Sequence, residues 1–133
     1  MASGFTNEPI NMNVVAGTTF GMGHICFVAA NEVQKTAITQ VATFVTIDES
    51  SRDAAGTLEV TGATVSVSPL AGVLFVQSAD PAWTIGQLAY VGANGQATTT
   101  VGSNKLLGVC MGLHTGLTAG DLIAINCSQA ATA

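Results

Sequence analysis

The clearest pattern in the chain is an alternation of apolar and polar residues near its middle. Leu58 and Val60 alternate with polar neighbours, and after Gly62 the valines Val65 and Val67 alternate with Thr and Ser. A two-residue period is typical of an antiparallel strand with one face buried and one face in water. This stretch therefore predicts β-structure.

Shorter apolar runs on either side predict further strands, at Ile25–Ala30, Val41–Ile47, Val73–Val76, Leu88–Val91, Ala97–Val101, Leu106–Met111 and Asp121–Cys127. Asn94-Gly95 is the dipeptide that most readily adopts the positive φ angles of a tight hairpin. The segment 31–40 is compatible with a helical turn but is ambiguous. About eight short strands at this spacing predict an all-β fold, a small antiparallel β-barrel or β-sandwich.

The first sixteen residues differ from the rest of the chain. Residues 1–16 contain Phe5, Ile10 and Met12 among polar residues, and Pro9 favours an extended backbone. We expect an extended N-terminal arm in which these four residues contact whatever surface the arm lies on, with a frayed terminus as the alternative. Residues 17–127 are then a single β-domain, and 128–133 a mobile tail.

Charged residues are sparse, with three basic and eight acidic residues making up 8% of the chain, against about 25% in typical globular domains. The chain has instead 14 Val and 17 Thr, which suit strands better than helices. Soluble monomers usually carry a mixed charged surface that prevents association. The composition therefore favours a surface that neighbouring proteins cover, although a β-protein that is simply rich in Thr would look similar.

The charge pattern excludes several partners. The net charge is −5 and the three basic residues are scattered, whereas nucleic-acid binding needs clustered positive charge. No apolar run approaches the ~18 residues of a membrane span. Residues 1–13 show neither a basic nor an apolar signal region, so we expect synthesis in the cytoplasm.

The sequence offers little for catalysis or for metal binding. Cys110 and His114 are the nearest approach to a nucleophile and its base, but a loop is predicted between them and no acid is close in sequence. His24 and Cys26 could share a strand face, without the paired spacing of a metal site. Free buried thiols are the expected state of all three cysteines. The prediction is a protein that is not an enzyme, with no catalytic residues, metal, cofactor or small-molecule substrate.

From Leu58 to Cys127 several features follow one another in a recognisable order. The segment LEVTGATVSVSP leads to GVLFV and then to the turn and strand of Asp80–Val91, which contain Trp83, Gly86 and Tyr90. The Asn94-Gly95 hairpin, a Thr-rich strand, Leu106–Val109 and a closing strand after Gly120-Asp121 complete the series. This series resembles the capsid cement, or head-decoration, proteins of tailed bacteriophages. The resemblance covers about half of the chain and is loose over residues 1–57.

The resemblance implies a β-tulip-like form of this all-β fold, in a virion protein on the outer capsid surface. Such a protein forms a homotrimer and bridges subunits of the major capsid protein, and the family supplies no catalytic residues. The alternative is a receptor- or glycan-binding module such as a head fibre or adhesin, for which aromatic platforms are usual. Trp83 is instead expected to cap the core near its turn. A third hypothesis, a small hydrolase or redox enzyme, would depend on Cys110 or His114.

Overall fold

The computed structural model describes residues 10–13, 22–47 and 64–132, which form two five-stranded sheets. Sheet A has the order β1-β5-β4-β2-β3 and sheet B the order β6-β10-β9-β7-β8. The strands of sheet A are β1 (Ile10–Asn13), β2 (Ile25–Ala29), β3 (Glu32–Lys35), β4 (Phe44–Thr46) and β5 (Thr64–Pro69). Those of sheet B are β6 (Val73–Gln77), β7 (Leu88–Val91), β8 (Ala97–Thr98), β9 (Leu106–Cys110) and β10 (Leu122–Asn126).

Every pairing between these strands is antiparallel. The predicted all-β class is confirmed, and of the two predicted architectures the two sheets fit a sandwich-like fold. No helix in the described part of the chain is both long enough and apolar enough to cross a membrane.

The ambiguous segment 31–40 is largely strand and turn. Residues 32–35 pair with β2, and the two strands are joined by Ala30 and Asn31 alone. Both linking residues have positive φ angles, 52° and 63°. Two such residues in sequence are typical of the tight hairpin turn that matches the twist of its strands, so a hairpin stands where a helical turn was considered.

Sheet A follows the alternation that the sequence shows. Val65 and Val67 are buried in a small core with Cys26 and Val33, while Ser66 between them is only half-buried. Met12 and Phe44 pack against the same core. The alternation at Leu58 and Val60 lies outside the described residues.

Sheet B contributes most of the main core of the molecule. Its inward residues share this core with Ile25, Ala42 and Val45 of the sheet A region. They include Val76, Ala89, Val91, Ala97, Leu107, Cys110, Ile123 and Ile125, all at most 1% exposed. The register between β7 and β9 shifts at Ala89 and Tyr90, where Leu107 is an extra residue on β9, and such a bulge re-aims a side chain.

Gly23 joins the two sheets. Its backbone N–H donates to the Thr46 carbonyl at 2.7 Å, and its own carbonyl accepts from the Gln77 N–H at 2.8 Å. Its φ of +86° belongs to the left-handed region, and a Cβ there would lie 3.1 Å from backbone atoms of Phe75 and Gln77. Only glycine can carry the chain between β4 and β6 this closely.

The two chain ends are partly held on the domain. Within the predicted arm, Ile10–Asn13 is extended and pairs with β5 of the same chain. In the predicted tail, the Ala131 N–H donates to the Leu106 carbonyl at 2.9 Å and the Ser128 hydroxyl accepts from the Gly72 N–H at 3.1 Å. Within the segment predicted to be a mobile tail, Ser128 is therefore hydrogen-bonded to Gly72 and Ala131 to sheet B.

Candidate interaction surface

Sheet B exposes a second apolar surface on the side opposite its core. Strand parity sets which residues face outward: in β10 the buried Ile123 and Ile125 alternate with Leu122, Ala124 and Asn126. The register then aligns Phe75 with Ala124, and Val73 with Asn126. We call this surface the apolar face, and define its large side chains as Val73, Phe75, Leu88, Tyr90, Val109, Met111 and Leu122.

The exposure of this face is unusual for β-strand residues. Phe75 is 58% exposed and Val73 53%, while Leu88 and Met111 are both 48% exposed. Eleven large hydrophobic residues are exposed in the described part of the chain, and five of them lie on this face. Single exposed apolar residues are ordinary on protein surfaces, but a contiguous group usually marks an interaction site.

Two further exposed side chains stand at one end of the face. Ile85 is 71% exposed and Leu113 68% exposed, and their loops meet where Trp83 and His114 exchange backbone hydrogen bonds of 2.9 Å. Gly86, next to Ile85, donates its N–H to the Cys110 carbonyl at 2.8 Å. Both loops therefore lie next to the Cys110 end of β9.

The apolar face carries no charge. The charged residues in the described ranges are Glu32, Lys35, Asp80, Lys105 and Asp121, and none of them lies on the strands that form the face. Asp121 immediately precedes β10 and Lys105 immediately precedes β9, so each stands at an end of the sheet. A surface without charged groups loses water at a lower cost than a charged one.

Trp83 lies in the main core and is 1% exposed. Its indole N–H donates to the Ser78 hydroxyl at 2.7 Å, and the same oxygen accepts the Asp80 N–H at 3.0 Å. Asp80 Oδ2 in turn accepts from the hydroxyls of Thr98 and Thr99, at 3.0 and 2.9 Å. The Asp80–Trp83 turn is thus fixed to the end of β8, and the indole ring is not available as a platform for a ligand.

Gly86 and Tyr90 place the strand after this turn. Gly86 has a φ of +84° within a turn closed by the Gln87 N–H and the Thr84 carbonyl at 3.2 Å. Glycine suits the third position of such a turn because a side chain would be strained there. Tyr90 is half-buried on the outward side of β7, opposite Leu106 and Thr98.

Asn94 and Gly95 form the expected hairpin between β7 and β8, in a short 3₁₀ turn at Ala93–Gly95. Their φ angles are +57° and +68°. The Gly95 N–H donates to the Thr36 carbonyl at 3.0 Å, and a Cβ at Gly95 would lie 2.6 Å from the Ile25 carbonyl oxygen. The hairpin therefore also packs against the sheet A region.

The four predicted arm residues are only partly described. Phe5 and Pro9 lie outside the described residues. Ile10 pairs in register with Val67 in β1, and Met12 packs against the core of sheet A. The structure thus places Met12 on this chain's own domain.

The candidate catalytic groups are engaged in the fold. Cys110 donates its thiol to the Gly112 carbonyl at 3.3 Å, and Cys26 and Cys127 bond backbone carbonyls in the same way. All three cysteines are free and buried. Burial raises the pKa of Cys127 to about 12 and that of Cys26 further still, so both remain protonated thiols near neutral pH. No group of three or more His, Cys, Asp or Glu suited to a metal ion occurs within the described ranges.

An open hollow of about 340 Å³ lies beside the Asn-Gly hairpin. Asn94, Gln96, Thr98 and Asn104 are among its lining residues, and no aromatic side chain lines it. Sugars in binding sites usually stack on aromatic rings, which supply a large rigid apolar contact. The hollow therefore lacks the main feature of a glycan site.

The apolar face was missed by the sequence reasoning. The sequence shows it in the runs VLFVQ and LIAIN, where apolar residues occur at both odd and even positions and therefore on both sides of the strand.

No protein-family model matches the chain, and no curated protein is significantly similar to it.

Proposed function

We propose that this chain is a structural protein that decorates a bacteriophage capsid, attaching to the outer surface and bridging subunits of the major capsid protein, as a homotrimer. The observation that supports this role is the uncharged apolar face of sheet B. A surface of this kind has its lowest free energy when another protein covers it. The order of features from Leu58 to Cys127, which resembles the cement family, supports the choice of a bacteriophage capsid as the partner.

The composition supports the same role. A domain with 8% charged residues gains little solubility from its own surface. Its strands fix most of the backbone before binding, so docking costs little further conformational entropy. Several identical domains on one shell would engage it many times, and modest contacts then give strong attachment through effective concentration.

The test is a binding assay with undecorated shells assembled from the major capsid protein. The protein is mixed with shells and sedimented, and the bound amount is measured against concentration. We expect saturable binding at a fixed ratio to capsid subunits, together with a higher temperature of shell disruption. Absence of binding at saturating concentrations contradicts the proposal, as does saturable binding of a sugar in place of shells.

The contribution of the arm is tested by a truncation. Deleting residues 1–16 would also remove β1 and the packing of Met12, so it would confuse folding with binding. Deleting residues 1–9 keeps β1 complete. We expect this shorter truncation to retain the melting temperature and to weaken shell binding, and unchanged affinity would show that Phe5 and Pro9 do not contact the shell.

A further inference from the structure

Asn94-Gly95 is the only Asn-Gly dipeptide in the chain. In a flexible peptide such a pair deamidates spontaneously. The glycine nitrogen attacks the side-chain carbonyl carbon of asparagine, a five-membered succinimide ring closes, and the side-chain amide leaves as ammonia together with the proton of the glycine N–H. Glycine favours this attack because it has no side chain and its backbone is the least restricted. Water then opens the ring at one of its two carbonyls and leaves aspartate or isoaspartate, each with a new negative charge.

The native backbone keeps the two reacting atoms apart. Asn94 has a φ of 57° and a ψ of 32°. Viewed along the bond from Cα to the carbonyl carbon, this small positive ψ places the Gly95 nitrogen near the direction of the backbone nitrogen of Asn94, turned toward Hα. In an L residue this is the side away from Cβ. The ring closes only when the Gly95 nitrogen and Cβ lie on the same side of this bond, so the native conformation does not react.

The hydrogen bond of Gly95 opposes the same reaction. Its N–H donates to the Thr36 carbonyl at 3.0 Å, and both residues are buried. The nitrogen must give up its proton in the attack, but the native fold holds this proton between the hairpin and the sheet A region. The side chain of Asn94 is exposed to water. Deamidation therefore needs a local opening that breaks the bond between Gly95 and Thr36 and frees the ψ angle of Asn94.

We propose that Asn94 is a site of spontaneous deamidation that reacts only when the hairpin Ala93–Gly95 separates from the sheet A region, and that the isoaspartate product keeps the hairpin separated. The modification thus marks chains in which this contact has opened. It needs water as its only co-reactant and no partner protein, so it is tested on the purified chain and is independent of shell binding.

The isoaspartate form does not fit the native contact. Its main chain runs through the Cβ of residue 94, so one extra carbon, about 1.5 Å of chain, precedes Gly95. Gly95 is packed so closely that a Cβ on it would lie 2.6 Å from the Ile25 carbonyl oxygen. The added carbon therefore displaces Gly95 from Thr36. Ordinary aspartate keeps the original main chain, and its side chain takes the exposed position of Asn94.

The first measurement is the rate of deamidation at pH 8, followed by peptide mapping with mass spectrometry. The native protein is compared with a peptide of residues 92–96 and with the protein unfolded in urea. We expect the native rate at Asn94 to be at least about tenfold below both, which corresponds to an opening free energy of about 1.4 kcal/mol or more. Asn104, which lysine follows, is the internal control and should react more slowly than Asn94 in urea. Equal rates at Asn94 in the native protein and in the peptide overturn the inference.

The second measurement tests whether the opening of one hydrogen bond controls the reaction. Hydrogen exchange at the Gly95 amide, followed by NMR, gives the fraction of time for which its bond to Thr36 is open. The factor by which folding slows exchange at Gly95 should agree with the factor by which it slows deamidation at Asn94. A disagreement of about tenfold or more would show that a different motion controls the reaction.

The third measurement compares the two products. Protein deamidated in urea is refolded and its isoaspartate form is purified by chromatography, while Asn94→Asp is the matched control with the same charge and the original main chain. We expect the isoaspartate form to lose at least about tenfold of the exchange protection at Gly95 that Asn94→Asp retains. The Ile125 amide of β10 should stay protected in both forms. Equal protection at Gly95 would show that the hairpin accepts the extra carbon, and lost protection at Ile125 would show that the whole domain unfolds, so either result contradicts a separated hairpin.

Discussion

Sheets A and B have the same number of strands and the same antiparallel pairing, but they differ in where their apolar residues lie. In sheet A, Val65 and Val67 are buried and the intervening Ser66 is only half-buried. In sheet B, Phe75 is 58% exposed, although Val76 beside it is fully buried. Sheet A buries apolar residues on both of its sides, since the adjacent residues Ile25 and Cys26 belong to different cores, whereas sheet B buries one apolar side and leaves the other exposed. The difference separates apolar residues that are buried within this fold from apolar residues that the described part of the fold leaves exposed.

The core that joins the two sheets should give the largest effect on stability. Replacing Trp83 by Ala removes a fully buried ring and leaves the Ser78 hydroxyl without the indole donor, so we expect a loss of about 3–5 kcal/mol in the free energy of unfolding. Urea unfolding followed by far-UV circular dichroism measures this loss.

The same experiment tests whether the sheets are independent. Ile25 and Val45 of sheet A belong to the Trp83 core, so both sheets should unfold in one transition. Trp83→Phe is the control, since it keeps most of the buried area and should cost clearly less. Two separate transitions in the wild type would show that sheet A folds without sheet B.

A pair of substitutions tests the comparison between the sheets directly. Val67→Ala, in the core of sheet A, should cost about 2 kcal/mol of stability because it leaves a cavity. Phe75→Ala, on the apolar face, should change the free energy of unfolding of the monomer by less than about 1 kcal/mol. Thermal melts at low protein concentration measure both values. A large loss for Phe75→Ala in the monomer would mean that this ring packs within its own fold.

The buried thiols should make both sheets less stable in alkali. Burial raises the pKa of Cys127 to about 12, while a thiol in the unfolded chain ionises near 9. Between these pH values only the unfolded chain loses the proton, so stability is fully present below pH 9 and falls as the pH rises. The expected loss is about 1 kcal/mol per thiol from pH 9 to 10.

Unfolding in urea at pH 7.5, 9 and 10 measures this dependence. The Cys26 thiol shifts in the same direction in sheet A, so Cys26→Ala and Cys127→Ala should each make the dependence on pH shallower. Each single variant also serves as the control for the other. An alkaline loss that neither substitution reduces would have to come from other groups.

The sequence predicts the strands better than it predicts the interaction surface. Alternation at Val65 and Val67 and the Asn94-Gly95 dipeptide follow local rules of period and turn geometry, and the structure forms both. In the run around Phe75, Val73 and Phe75 alternate with Leu74 and Val76, so the sequence does not say which side of this strand is covered by the same chain. That depends on where the second sheet lies, which is a property of the tertiary fold.

The two hairpin turns differ in the residues that carry their positive φ angles, and they should respond differently to glycine. Sheet B uses Asn94 and Gly95, whereas sheet A uses Ala30 and Asn31, with φ angles of 52° and 63°. Alanine in the left-handed region costs about 1–2 kcal/mol, and glycine there costs about 0.5–1 kcal/mol in unfolded-state entropy. Ala30→Gly should therefore stabilise the protein by about 0.5 kcal/mol. Asn94→Gly, the control, should change stability by a few tenths, because asparagine already tolerates this conformation. Chemical denaturation of the two variants and the wild type, run in parallel, measures both changes in stability. If Ala30→Gly is less stable than the wild type, the Ala30 side chain makes a contact that stabilises the fold by more than its backbone strain costs.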